Sequence, residues 1–298
     1  MADYLQELQF GIFPTPNAKD AKQVLDLADA ADETGLDLVT VQDHPYLGRF
    51  LDAWTLLSVI AGRTSRVRLS PNVACLPLRP PPVLARSVAT LDILSGGRAE
   101  LALGTGAFWD GIAGLGGRRL QPGDSISALS EAISLIRALW DTSSPTVDQD
   151  GSFYSVSGAQ TGPAPVHRVE IAVGAYKPRM LRLTGRSADG WLPSQGYAGP
   201  DTVPGMSEIL DEAAESASRN PAEIRRMYNI KGTFGTGSDF LTGRAQDWAE
   251  QLADLTLRTG MSTYILATDS VEQVRTFASE VAPAARELVA AERAGAAR

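Results

Sequence analysis

The sequence predicts an α/β fold, a (β/α)8 TIM barrel that occupies residues 1–298 as a single domain. Eight short apolar runs each precede a segment with helical periodicity, an alternation typical of a parallel sheet covered by helices. Eight such units favour a closed barrel over a doubly wound sheet, and no glycine-rich fingerprint follows the first strand. Two stretches, about residues 141–169 and 232–243, interrupt the alternation and are expected to be insertions.

The first half of the chain contains four predicted strands and the helices between them. Gly35 is placed to end the first helix as a C′ glycine, and Asp52 to cap the second through its carboxylate. Pro80 stands where the third helix begins, a position that tolerates proline. The strands are expected at residues 9–13, 38–41, 67–69 and 99–103, and the helices at 17–34, 52–64 and 80–94.

The second half continues the alternation. The helices are expected at residues 124–140, 178–186, 206–218, 245–258 and 271–292, and the strands at 170–173, 190–193, 227–231 and 263–267. Pro283 is expected to bend or break the last helix, because proline removes a hydrogen bond from a helix interior.

The two insertions have different compositions. The first is rich in Gly, Ser, Pro and Asp, and residues 146–147 are expected to pair with residues 153–155 in a hairpin. The second contains four glycines in twelve residues, which predicts a mobile lid over the catalytic end. A plain solvent loop is the alternative.

Composition limits the possible partners. The formal net charge of −8 argues against nucleic acid and membrane surfaces, since both attract basic proteins. No apolar run approaches the roughly 18 residues that a bilayer span requires, and no secretory signal is visible. Cys75 is the only cysteine, so no intrachain disulfide can form and a cytoplasmic location is expected.

The turn after the second strand carries the best catalytic candidate, His44. In a parallel barrel the strand ends of one face share a single site, and imidazole exchanges a proton near neutral pH. A structural histidine bonded to the backbone is the alternative. Asp43 cannot easily reach the ring of its neighbour, so it is expected to cap the turn or bind another loop. His167, the other histidine, lies in the first insertion.

Metal and nucleophilic chemistry are weakly supported. A catalytic zinc requires about three clustered ligands, and only one histidine is suitably placed. A magnesium site formed by Asp43, Asp110 and Asp189 stays open, although no acidic pair has supporting spacing. Cys75 has no partner other than His44, and no GxSxG turn occurs.

Three further turns present backbone or charge at the same face. The segment around Asn72 is expected to form a backbone-presenting bulge, with a rigid proline loop as the alternative. Gly104 and Gly106 allow close approach of a ligand, although a lone GxG is often only a turn. Lys177 precedes a helix start, where free N–H groups and a cation together favour phosphate.

Aromatic side chains near these turns are expected to line a substrate pocket, with core packing as the alternative for each. These residues are Phe13, Trp54, Phe108, Trp109 and Trp191.

Taken in order, these turns resemble the luciferase-like monooxygenase superfamily, the flavin- and deazaflavin-dependent (β/α)8 barrels. The resemblance covers nearly the whole chain. It rests on the Asp43-His44 turn and on three longer motifs. These are the PNV turn (71–73), LSGGRAELALGTG (94–106) and GAYKPRMLRLTGRSADGW (174–191).

The resemblance implies a flavin-type ring against strands two to four and a phosphate-bearing tail that runs toward Lys177. A non-prolyl cis peptide near Asn72-Val73 backs the ring in many members, and members are commonly dimers, so a homodimer is expected. The cofactor-binding residues that follow from this are Asp43, Asn72, Val73, Ala74, Gly104, Gly106, Gly174, Ala175, Tyr176 and Lys177.

The Asp43-His44 pair is similar to the branch that uses coenzyme F420, whereas the FMN branch often carries Glu-His. Some deazaflavin dehydrogenases have a glutamate after the GxG, where this chain has Ala107; Asp110 stands nearby. The resulting hypothesis is hydride transfer between F420 and a small organic substrate, with His44 as the catalytic residue. The alternatives are a two-component monooxygenase that receives reduced FMN from a reductase partner, and a non-catalytic cofactor carrier.

Overall fold

A computed structural model describes residues 3–296. The strands are β1 (Gln9–Ile12), β2 (Leu38–Val41), β3 (Arg68–Pro71), β4 (Ala74–Cys75), β5 (Leu101–Gly104), β6 (Thr146–Asp150), β7 (Ser155–Gln160), β8 (Ile171–Val173), β9 (Gly190–Trp191), β10 (Arg225–Ile230), β11 (Thr233–Phe234), β12 (Thr242–Gly243) and β13 (Thr263–Leu266). The α-helices are α1 (Ala21–Glu33), α2 (Ala53–Arg63), α3 (Pro81–Ser95), α4 (Trp109–Gly114), α5 (Pro122–Trp140), α6 (Pro178–Ser187), α7 (Val203–Ser216), α8 (Ala245–Thr259), α9 (Val271–Thr276) and α10 (Ala282–Ala296).

Nine of these strands form one parallel sheet that closes into a barrel, which confirms the predicted fold class. The strand order is β3-β2-β1-β13-β10-β9-β8-β5-β4. β3 and β4 are two halves of one interrupted barrel strand: β4 pairs with β5, and Leu69 of β3 bonds to the chain just before β5. The Leu69 N–H donates to the Arg98 carbonyl at 2.8 Å, and the Glu100 N–H donates to the Leu69 carbonyl at 2.8 Å.

Two apolar cores result from the alternation of side chains along the strands. The large core lies between the strands and the helices and contains fully buried residues such as Phe10 and Leu57. Each such side chain stabilises the fold by about 1.5–3 kcal/mol. The small core fills the barrel interior and consists of Leu38, Ala102, Ala172, Leu192 and Ile265.

Local sequence signals set the helix ends as expected. Gly35 has φ +80°, and Gly96, after α3, has φ +73°, so both occupy the left-handed region that glycine adopts easily. Asp52 caps α2, because its carboxylate accepts a hydrogen bond from the Thr55 N–H at 3.0 Å.

The C-terminal helix deviates from regularity just before its proline. A π-helical segment, Phe277–Val281, joins α9 to α10, and Pro283 follows in the first turn of α10. The predicted break at Pro283 does not occur; the irregularity is a change in hydrogen-bond pattern within a continuous helical segment, since proline has no N–H to continue the α-helical series.

The first insertion contains a hairpin, but its register differs from the predicted one. Thr146 pairs with Gln160, and Asp150 pairs with Ser155. The Glu131 carboxylate of α5 accepts hydrogen bonds from three consecutive N–H groups, those of residues 152–154. This contact makes residues 151–154 the turn, so they cannot extend the second strand.

The second insertion has an anchored base. The Thr233 N–H donates to the Leu241 carbonyl at 3.0 Å, and the Leu241 N–H donates to the Gln251 side chain at 2.6 Å. Phe234 stacks on Trp248 with ring centroids 4.2 Å apart. The exposed tip is therefore limited to residues 235–239.

Within residues 3–296, no helix is both long enough and apolar enough to cross a bilayer.

Candidate active site

His44 lies just past the end of β2, half-buried at the carboxyl edge of the barrel. Its Nδ1 is hydrogen-bonded to the hydroxyl of Tyr46. The edge of Phe108 faces the ring at a centroid distance of 5.6 Å. Burial lowers the pKa of His44, and the negative charge of Asp43 opposes that effect. His44 is therefore a neutral imidazole at pH 7.

Asp43 is buried, and other parts of the protein occupy its carboxylate oxygens. It accepts hydrogen bonds from the Cys75 N–H at 2.9 Å and from Nε and Nη2 of Arg79 at 3.1 and 2.8 Å. Arg79 also bonds to Asp52 at the start of α2. Asp43 thus binds a neighbouring loop, as one of the two sequence interpretations proposed. We correct its assignment from a direct cofactor contact to a residue that fixes the His44 turn.

The barrel strand formed by β3 and β4 is interrupted at Asn72-Val73, where the peptide bond is cis, as the resemblance implied. The Asn72 side-chain amide donates to Oδ1 of Asn229 at 2.7 Å and to the Thr40 hydroxyl at 3.1 Å. The Asn229 amide donates back to Oδ1 of Asn72 at 3.0 Å and to the Ser194 hydroxyl at 3.0 Å. Asn229 was not among the predicted site residues, although a lone amide among the buried residues at the end of β10 was a usable signal.

Val73 projects into the space between two glycines of adjacent strands. A Cβ atom built at Gly104 would lie 2.5 Å from Cγ2 of Val73, whereas one at Gly174 would lie 3.6 Å from Cγ1. Gly104 is therefore required for the valine rather than for direct approach of a ligand. The Val73 side chain is therefore the group that lies between Gly104 and Gly174 at the strand ends.

Glycine is required at position 106 for a different reason. Its φ is +91°, and a Cβ atom there would lie 2.9 Å from Pro77, 3.0 Å from Ile112 and 3.3 Å from Trp109. The predicted residues Ala74 and Ala175 are fully buried in the large core, so only their backbone atoms could face a ligand.

The turn after β8 leads directly into α6. The Tyr176 hydroxyl accepts a hydrogen bond from the Ser194 N–H at 3.1 Å, and its ring lies 5.4 Å from that of the exposed Tyr197. Burial raises the pKa of Tyr176, so its hydroxyl stays protonated. Lys177 is the exposed N-cap residue of α6, and no side chain caps this helix start. The first N–H groups of α6 and the Lys177 ammonium could hold a phosphate.

Three of the predicted pocket aromatics lie at the carboxyl edge. Phe13 packs against the small core, Phe108 is exposed beside His44, and Trp109 packs over Gly106.

Two predicted pocket residues are corrected. Trp191 is fully buried in the large core, where its indole N–H donates to the Ala175 carbonyl at 2.9 Å. Its neighbour Leu192 faces the barrel interior instead. Trp54 lies in a groove between α2 and α3, which are helices of the outer layer. Neither position faces the strand ends around His44.

The magnesium alternative is not supported by the arrangement of carboxylates. Asp43, Asp110 and Asp189 lie apart, and each is paired with a different arginine. Among residues 3–296, no three histidine, cysteine or acidic side chains are grouped closely enough to hold a metal ion.

The family is established by comparison of sequences. A family described as luciferase-like monooxygenase matches residues 8–252. The chain therefore belongs to the luciferase-like monooxygenase family of oxidoreductases.

Relatives and solved structures are consistent with this membership. F420-dependent glucose-6-phosphate dehydrogenases from Nocardia farcinica and Rhodococcus hoagii are each 30% identical to this chain, over 252 and 254 residues. Each alignment covers 82% of this chain and 74% of the relative. An F420-dependent secondary alcohol dehydrogenase, solved with an F420–acetone adduct, superposes with a TM-score of 0.83 at 19% identity, covering 94% and 99% of the two chains. A riboflavin lyase solved with modified FMN has a TM-score of 0.82 at 13% identity, covering 95% and 92%. At such identities the structural likeness shows the fold alone.

Proposed function

We propose that this protein is an F420-dependent oxidoreductase that transfers a hydride between the deazaflavin and a small organic substrate that carries a hydroxyl or carbonyl group. The observation that carries the proposal is the position of His44, whose ring stands at the same barrel edge as the Val73 surface. The relatives named as F420-dependent dehydrogenases support the choice of cofactor.

The residues present fit such a cofactor. The half-buried Val73 side chain and the neighbouring Gly174 would carry the ring, and Lys177 with the start of α6 would bind the phosphate. When bound, the deazaflavin supplies the carbon that accepts or donates the hydride. Asp43 and Arg79 hold the turn that positions His44.

His44 contacts the substrate oxygen in this proposal and stabilises the charge that develops there. The position after the GxG supplies no acidic residue for that role. Ala107 occupies the position where some deazaflavin dehydrogenases carry a glutamate. Asp110 does not replace it, because its side chain is fully exposed and paired with Arg119. His44 is therefore the group that faces the substrate oxygen in this proposal.

The first prediction concerns cofactor choice. Titration of the purified protein with F420, followed by absorbance, is expected to saturate, whereas FMN at the same concentrations is expected to cause no change. Gly174→Val adds bulk beside Val73 and is expected to weaken F420 binding at least tenfold, because the added methyl groups occupy the ring surface. Gly199→Val is the matched control, since nothing lies within 4 Å of a Cβ atom at Gly199.

Other outcomes would identify the alternatives. Saturable FMN binding, together with product formation that requires oxygen and an added flavin reductase, would replace the proposal with the two-component monooxygenase. Tight binding of F420 without hydride exchange to any alcohol or ketone tested would leave a cofactor carrier.

We also propose that two copies of the chain associate through the α2–α3 face, defined by Trp54, Val59, Val83, Ile93 and Leu94. Val59 is 47%, Val83 63% and Leu94 80% exposed, an unusual concentration of large apolar side chains on neighbouring helices. Trp54 lines the groove between them. Burial of this surface against a second copy would remove it from water.

The second prediction tests this face. Leu94→Arg is expected to convert a dimer into a monomer in sedimentation velocity, because it would place an unpaired charge in an apolar interface. Leu115→Arg is the control, since Leu115 is similarly exposed, at 55%, but lies at the end of α4 rather than on α2 or α3. A wild-type protein that sediments as a monomer would contradict the proposal.

A further inference from the structure

The side chain in contact with the inner nitrogen of His44 is a tyrosine. Tyr46 follows two residues later, and its hydroxyl is within hydrogen-bond distance of Nδ1 of His44. The two ring centroids lie 5.4 Å apart. Asp43, the carboxylate adjacent in sequence, instead bonds to Arg79 and Cys75. A hydroxyl therefore occupies the place where a carboxylate would stabilise an imidazolium.

The position of Tyr46 is determined by packing on α4. A Cβ atom built at Gly111 would lie 2.9 Å from Cγ and Cδ2 of Tyr46, so the absence of a side chain at Gly111 makes room for the ring. Phe108 contacts both rings, with centroids 5.6 Å from His44 and 5.8 Å from Tyr46. The backbone also restrains the turn, since the Leu47 N–H donates to the His44 carbonyl at 2.9 Å. The hydroxyl is thus held against Nδ1 by three neighbouring contacts.

The acid–base properties of the pair indicate which atom carries the proton. Burial, with the nearby Cys75 and Asp43, raises the pKa of Tyr46, so its hydroxyl stays protonated and can donate. Burial lowers the pKa of His44, so its ring is neutral and has one nitrogen with a free lone pair. A phenol is a better donor than acceptor, and a neutral imidazole nitrogen is a good acceptor. The favoured arrangement has the Tyr46 hydroxyl donating to Nδ1.

We propose that Tyr46 is a positioning residue that fixes His44 as the neutral tautomer with its proton on Nε2. Among the described residues, no hydrogen bond to Nε2 is formed, so this N–H is available to a ligand. The consequence of this tautomer for catalysis rests on the proposed function. During hydride transfer to a carbonyl carbon, the oxygen gains partial negative charge, and the Nε2–H of His44 donates a hydrogen bond to it, while a proton from water completes the hydroxyl group.

A neutral imidazole suits this role. It donates a hydrogen bond without bringing a full positive charge into a half-buried site, and enzymes are known that use a neutral histidine in this way. A neutral hydroxyl at the position of Tyr46 is compatible with this role. A carboxylate in its place would draw the proton to Nδ1 and favour the imidazolium.

Nitrogen-15 NMR of the cofactor-free protein tests the assignment directly. The chain has two histidines, His44 and His167, so their ring signals can be assigned with a His167→Gln variant. In the wild type, His44 is expected to show the Nε2–H tautomer. In Tyr46→Phe, the preference for that tautomer is expected to fall about fivefold, the loss expected for one ordinary hydrogen bond. The pKa of His44 is expected to rise, because the lost bond favoured the neutral form.

Tyr154→Phe is the matched control, since Tyr154 is a partly buried tyrosine in the turn of the β6–β7 hairpin. It is expected to leave both the tautomer and the pKa of His44 unchanged. An Nδ1–H tautomer in the wild type, or an unchanged His44 spectrum in Tyr46→Phe, would overturn the inference.

The catalytic consequence has a separate readout. With reduced F420 and a ketone substrate, Tyr46→Phe is expected to lower kcat about fivefold and to leave KM unchanged. Failure of the proposed function appears as absent F420 binding with an intact NMR result. Failure of the inference appears as an Nδ1–H tautomer in the wild type, or as an unchanged His44 spectrum in Tyr46→Phe, with F420 binding retained.

Discussion

Replacement of His44 by alanine is expected to lower turnover with F420 and substrate by about 100-fold or more, the usual contribution of a positioned imidazole. The reason is the location of the His44 ring at the carboxyl edge of β2. Tyr46 contacts Nδ1 of this ring, and Nε2 is left to contact the substrate. Affinity for F420 is expected to change little, because the ring surface and the phosphate site use other residues. The measurement is kcat, together with F420 affinity by absorbance titration.

His167→Gln provides the matched control for loss of an imidazole. His167 lies at the opposite end of the barrel strands, near the start of β8, where it contacts Asp92 at 2.8 Å and Glu100 at 3.5 Å. The kcat of the His167→Gln variant is expected to match that of the wild type. An undiminished kcat in His44→Ala would remove His44 from the mechanism, whereas a loss of folding would show in the circular dichroism spectrum.

Replacement of Arg79 by alanine is expected to reduce the free energy of unfolding by about 3 kcal/mol, the lower end of the range for breaking a buried ion pair. The Asp43 side chain is only 1% exposed and accepts two hydrogen bonds from Arg79, so the variant would leave a buried carboxylate without its charged partner. Urea denaturation with a fixed m-value measures the loss.

Two further variants isolate the cause. Asp43→Asn combined with Arg79→Ala is expected to recover part of the stability, because it removes the uncompensated charge. Arg63→Ala breaks the more exposed pair with Asp29 and is expected to cost much less, since solvent screens such pairs. Equal losses in Arg63→Ala and Arg79→Ala would show that burial of Asp43 is not the cause.

Much of the candidate site was predictable because it depends on strand ends and turn chemistry. Asp43-His44, the Asn72 bulge, the glycine pair Gly104 and Gly106, and the α6 start at Lys177 all follow strands, and the carboxyl ends of parallel strands meet at one edge. What could not be predicted is which atoms these residues contact. Gly104 was expected to admit a ligand, but its missing side chain makes room for Val73.

The periodicity of the sequence does not predict which side chains bond to the site residues. Asn229 bonds to Asn72 across 157 residues of sequence, and only closure of the barrel brings β10 next to that bulge. Tyr46 lies in an irregular turn, where no repeat indicates which way a side chain points, and its contact with Nδ1 of His44 depends on the space above Gly111 on α4.

The sequence by itself determined the eight-unit barrel, the helix ends at Gly35 and Asp52, and the placement of His44 at the carboxyl edge of the barrel. These features follow from local periodicity, capping and turn residues, which act within a few positions along the chain. Only the tertiary structure decided that Trp191 faces the helices while Leu192 faces the barrel interior. A parallel strand is apolar on both faces, so its sequence does not distinguish inside from outside until neighbouring strands and helices take up the space.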